Sequence, residues 1–81
     1  MNDTEILTHI QTLVDEEHQL TQQHRDTADL NEDQHARMRN LEVQLDQLWD
    51  LLRQRRARRS AGLDPDQAQE RPADTVEHFL Q

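Results

Sequence analysis

Apolar residues return at intervals of three and four in two long stretches of this chain. In the first, Ile6, Ile10, Leu13 and Leu20 keep that rhythm once Glu17 is counted at its turn, and Leu7 and Val14 widen the stripe on one side. In the second, Met38, Leu41, Leu45, Leu48 and Leu52 form an a/d seam, flanked by Trp49 on one side and Leu51 on the other. A 3.6-residue period gathers such positions on one face, so both stretches predict amphipathic helices. Asn2 with Glu5, and Asn31 with Gln34, repeat the capping-box spacing in which each side chain satisfies a free backbone N–H of the first turn. Gly62, the sole glycine, suits a left-handed helix end. The helices are expected at about 3–27 and 32–61.

So short a connection between long helices favours an antiparallel hairpin. Folding about a centre near residue 29 sets Leu20 opposite Met38, Leu13 opposite Leu45, Ile10 opposite Leu48, and Ile6 with Leu7 opposite Leu51 and Leu52. A two-helix hairpin leaves the flanks of so wide a stripe wet, and a contiguous apolar patch marks an interface. The expected architecture is therefore all-α: a coiled-coil-like hairpin over residues 1–62 that self-associates, as a homodimer, into a four-helix bundle. The expected interface is Leu7, Val14, Leu48, Trp49, Leu51, Leu52 and Phe79.

Residues 63–81 read as a tail with short helical segments. Asp64-Pro65 is an N-cap followed by proline at the first helical position, opening a turn or two through Glu70, and Arg71-Pro72 closes it. Asp74 with Glu77 is a third capping pattern, ahead of Val76, Phe79 and Leu80 on one side of a helix too short to stand alone. Such a helix is expected to dock on the hairpin through Phe79, in its own chain or its partner's.

Composition narrows the class. The chain has 81 residues, 32% hydrophobic and 32% charged, with one Trp, one Phe, no Tyr and one Gly, which leaves no material for a sheet. Without Cys there is neither disulfide nor thiolate chemistry. A formal net charge of −8 argues against nucleic acid and acidic membranes as partners. No window approaches the ~20 apolar residues that span a bilayer, and the simplest location is cytoplasmic.

Three features invite chemistry. Arginines 53, 55, 56, 58 and 59 crowd the end of the second helix, and their forks match phosphates and carboxylates. Helix-end cations have a structural use too, and the hairpin brings Asp3 and Glu5 beside Arg53 and Arg55. That leaves Arg55, Arg56, Arg58 and Arg59 as a candidate ridge for an acidic protein, with Arg58 and Arg59 overhanging the first helix as the free pair. Second, Asp15 with His18 and Glu32 with His35 keep the i, i+3 spacing by which bundles present metal ligands, and the hairpin brings His24 near His35. In a chain with 5 His and 17 acidic residues such spacings arise by chance, and the expectation is no metal and no cofactor. Third, Glu17 falls in the seam, where Arg37 on the facing helix is its expected partner. Glycine-rich phosphate loops, G-x-S-x-G and H-E-x-x-H are missing, and the expectation is a protein without catalytic residues.

The opening DTEIL, the run LVDEEHQL at 13–20, LEVQLDQLWDLLRQRRARR at 41–59 and the tail GLDPDQAQERPADTVEHFLQ resemble a family of short actinobacterial proteins classed as a domain of unknown function. The resemblance covers nearly the whole chain and is most specific in L-D-Q-x-W-D-L-L-R-Q-R-R and in the D-P-D and R-P segments. It implies an actinobacterial lineage, a stand-alone protein and a cytoplasmic location. It implies no activity, cofactor or catalytic residue. The reading of the residues is thus a non-enzymatic, self-associating interaction module, with a metal-binding half-bundle assembled across chains and an arginine-ridge contact to nucleic acid or an acidic protein as its alternatives.

Overall fold

The computed structural model describes residues 1–27 and 31–79, with side chains over 1–23 and 31–78. The expected turn centre near residue 29, the side chains of His24 and Phe79, and Leu80 lie outside the described residues. Two long helices carry the fold, α1 at Asp3–Thr27 and α2 at Glu32–Ser60, followed by a 3-10 turn at Pro65–Gln67 and a short helix α3 at Ala73–Phe79. No strand occurs among the described residues.

Local chemistry sets the ends. Glu5 N–H donates to Asn2 Oδ1 (2.8 Å) while Asn2 N–H donates to Glu5 Oε1 (3.2 Å), so α1 opens on a complete capping box. Asn31 and Gln34 repeat it at α2 with distances of 2.8 and 3.0 Å. At the far end of α2, Leu63 N–H reaches back to the Arg58 carbonyl (2.8 Å) and Gly62 N–H to that of Arg59 (3.1 Å), the paired bonds of a Schellman motif. The motif needs a residue at positive φ, and Gly62 has φ 74°. Asp64 caps the 3-10 turn through Asp66 N–H (2.9 Å), and the turn stops at Gln67 rather than running to Glu70. The expected cap at Asp74 is corrected. α3 begins two residues earlier than that cap would set it, with Thr75 and Val76 donating to the Pro72 carbonyl, because Pro72 already fixes a helical φ.

The seams meet as their period requires. Ile6, Ile10 and Leu13 of α1 and Leu41, Leu45, Leu48, Leu51 and Leu52 of α2 form one buried cluster, with Leu20 and Ala68 half-buried against it. Charge and amide pairs pin the antiparallel register along its length: Asp3 with Arg55 and Arg59, Glu16 with Arg37, and Gln23 with Gln34 (3.0 Å). Glu17 does not take the expected role. It is half-buried, and Arg37 goes instead to Glu16, which stands one position round the helix on the side where Arg37 emerges.

α2 is the middle element. Leu41, Leu45, Leu48 and Leu52 face α1, while Gln47, Asp50 and Gln54 sit nearly half a turn away and hold the tail. α1 and α3 each pack on α2 and do not touch one another among the described residues. The Cα envelope, 50 × 25 × 15 Å, fits three elements side by side in a layer one helix thick.

Candidate interaction surface

The arginine-rich end of α2 works chiefly inside the chain. Arg55 is buried (5% exposed), a position a guanidinium tolerates only when its donors are satisfied. Its Nε donates to Asp3 Oδ1 (2.6 Å), and its Nη1 donates to Asp66 Oδ1 (3.0 Å) and the Pro65 carbonyl (3.1 Å). One side chain therefore ties α1, α2 and the 3-10 turn together. Asp3 also accepts from both terminal nitrogens of Arg59, at 3.2 and 2.7 Å. The hydrogen bonds from Arg59 and Arg55 pull the Asp3 carboxyl down to about 2, and Asp3 in turn raises the Arg55 guanidinium further above its ordinary range.

The residues of the expected partner ridge are engaged unequally within the chain. Arg58 donates to the Asp64 carbonyl (2.6 Å) and Arg59 is spent on Asp3, so the overhanging pair is not the free one. The helix is long enough for its last turn to reach the start of α1, and the reversal after Gly62 returns the tail to Arg58. Arg53 and Arg56 are exposed and form no ion pair among the described residues, and Glu5 turns to its own cap rather than to an arginine.

A second anchor was not anticipated from the sequence. Asp50 is buried (4% exposed) on the face of α2 away from α1, and Arg71 clamps it with Nη2 to Oδ1 (2.6 Å) and Nε to Oδ2 (2.9 Å), while Gln54 adds a bond of 2.9 Å. Burial works against the Asp50 charge; the Arg71 fork, the Gln54 donor and the nearby Arg71 and Arg53 charges outweigh it and hold the carboxyl below its ordinary range. Gln47 and Gln54 donate to the Arg71 and Gln69 carbonyls (3.2 and 3.0 Å), satisfying tail backbone that has no helix of its own. The sequence did carry a signal: Gln47, Asp50 and Gln54 share one polar stripe at spacings of three and four, and Arg71 is the tail's lone cation. Above this anchor Val76 is buried (1% exposed) against α2. Beside it Glu77 faces the Asp46 carboxylate, with Oε1 buried and unpartnered. Asp46, then burial and the Glu42 charge, raise the Glu77 carboxyl, since two adjacent carboxylates cannot both ionise freely.

The expected interface residues divide accordingly. Leu48, Leu51 and Leu52 are buried within the chain, in the cluster against which Ala68 of the tail packs. Leu7, Val14 and Trp49 are exposed at 45, 40 and 40%. Leu7 and Val14 are two turns apart on one edge of α1, and Trp49 leaves α2 on the same side of the hairpin, turned away from Gln47 and Gln54, which hold the tail.

The metal candidates among the described residues are not drawn together. Asp15 is exposed and accepts from Gln11 (2.9 Å), His18 is exposed beside Gln22, and Glu32 and His35 lie on exposed turns of α2. Among the described residues no group of three or more His, Asp or Glu is arranged to hold a metal ion. Among the described residues, open concavities lie between Asp15, Gln19 and Arg37 and between Glu32, His35 and Arg39. No described helix is long and apolar enough to cross a membrane.

The sequence matches the family model described as "Protein of unknown function (DUF2630)" over residues 2–81. Uncharacterized proteins of Mycobacterium bovis and of two strains of Mycobacterium tuberculosis are each 48% identical to it over 77 residues, 95% of this chain and 88% of theirs. No solved structure matches.

Proposed function

The chain belongs to this family of proteins of unknown function, and from that premise we propose that it is a non-enzymatic helical interaction module whose first partner is its own second copy. The observation that carries the reading is the exposed apolar face of Leu7, Val14 and Trp49 on a body one helix thick. Helical domains bury their apolar stripes between two layers, and a single layer with one greasy face is half of such an assembly. The hairpin (1–62) and the tail (63–81) act in this reading as one cytoplasmic unit, because Arg55, Asp50 and Val76 join the tail to α2. The unpaired Arg53 and Arg56 favour an acidic surface as the polar part of whatever docks there.

Light scattering during size exclusion at tens of micromolar tests it. The full chain elutes as a dimer, and the Leu7→Ser/Val14→Ser/Trp49→Ser variant elutes as a monomer with unchanged helical circular dichroism. A folded wild-type monomer at these concentrations overturns the reading.

A further inference from the structure

We propose that the second copy docks in one particular way: α2 lies antiparallel on α2 of the partner subunit, with the two-fold axis passing beside Trp49. The inference rests on the self-association proposed above and adds its geometry. It starts from the residues that share a stripe with Trp49. Glu42 and Arg56 stand seven positions before and seven after it. Seven residues are close to two helical turns, so all three leave α2 on nearly the same side. All three are exposed, and neither Glu42 nor Arg56 has an ion-pair partner within the described chain.

That spacing is self-complementary under one operation only. A two-fold axis across the helix at Trp49 brings Trp49 onto Trp49 of the partner subunit, Glu42 onto Arg56 of the partner subunit, and Arg56 onto Glu42 of the partner subunit. A parallel pairing would instead set Glu42 against Glu42 and Arg56 against Arg56, a repulsive contact at both ends. Opposite charges facing across an interface select register and orientation more than they add affinity, which is the task here.

The same axis serves α1. The pairs of Asp3 with Arg55 and Glu16 with Arg37 put Trp49 level with Leu7. A two-fold axis there brings Leu7 beside Leu7 of the partner subunit, next to the Trp49 pair. Aromatic, aliphatic and ionic contacts thus all follow from a single axis. Gln47, Asp50 and Gln54 hold the tail as far as Arg71 on a different face of α2, while α3, with Glu77 beside Asp46 and near Glu42, borders the pairing face.

Charge exchange tests the geometry separately from the association. Glu42→Arg alone sets arginine against arginine at two contacts, and Arg56→Glu alone sets glutamate against glutamate at two. Each homodimer is expected to weaken about tenfold. An equimolar mixture of the two single variants forms the heterodimer in preference to either homodimer, because both of its contacts are then arginine with glutamate. The double variant Glu42→Arg/Arg56→Glu regains wild-type association. Native mass spectrometry reads all four species, and helical circular dichroism of each variant establishes that it is folded. If the wild type dimerises while the single variants associate as tightly as it does and mix statistically, the antiparallel α2 pairing is overturned and the self-association stands. If the wild type is monomeric, both fall.

Discussion

Val76→Ala isolates what holds the tail. Val76 is the tail's fully buried apolar side chain, and the seven-residue α3 cannot persist without packing. Removing two methyl groups from a buried site costs about 1.6 kcal/mol at ~0.8 kcal/mol per group. A cavity adds little, because a short terminal helix can settle into the space. Alanine is the better helix former and returns about 0.5 kcal/mol. The net loss is about 1 kcal/mol, roughly a fivefold rise in the population with the tail undocked. Native-state hydrogen exchange reads this directly: amides of Thr75 to His78 exchange about fivefold faster in the variant, while those of Ile10 to Leu13, across the α1–α2 seam, keep their rates. Unchanged exchange in α3 would refute the role given to Val76. An equal loss of protection in α1 would refute a tail that opens on its own.

Arg55→Ala strands the partly shielded Asp3 and frees the 3-10 turn, so the thermal midpoint falls; Arg55→Lys recovers little of it, since one ammonium cannot reach Asp3, Asp66 and the Pro65 carbonyl in a fixed fork. Asp3, held down to about 2 in the fold against about 3.9 for a free aspartate, contributes stability that is complete above pH 4 and is lost as pH falls through 2. The midpoint difference between wild type and Asp3→Asn, followed by circular dichroism, therefore narrows across that window, and a constant difference would contradict it. Glu77 has the opposite sign. Its carboxyl is raised by Asp46, so its protonated form favours folding, and that contribution disappears as pH rises through the raised value. Glu77→Gln accordingly tightens the tail at pH 7, seen as slower exchange in α3, and gives no gain in acid. Gly62→Ala meets no atom within 4 Å and costs only backbone strain, about 1 kcal/mol by denaturant titration.

The sequence by itself determined the linear elements. Helix starts at Asn2 and Asn31, the stop at Gly62 and the stripe that fills the α1–α2 seam follow from capping chemistry and a 3.6-residue period, both local properties of the chain. The same stripe, being too wide for one neighbour, also declared that α2 has more than one. Which neighbour takes which flank was decided only in three dimensions. The tail sets Ala68 against the core cluster because the Schellman turn sends it back along the polar stripe of Gln47, Asp50 and Gln54, and nothing in the spacing of Asp50 alone foretold a buried carboxylate clamped by Arg71, twenty-one residues on. The arginines were sorted the same way. Five similar cations in sequence became an anchor at Arg55, a pair of ties at Arg58 and Arg59, and free charges at Arg53 and Arg56, according to where each fell relative to Asp3 and the returning tail. A one-dimensional pattern fixes which side of a helix a residue is on; only the path of the rest of the chain fixes what stands opposite it.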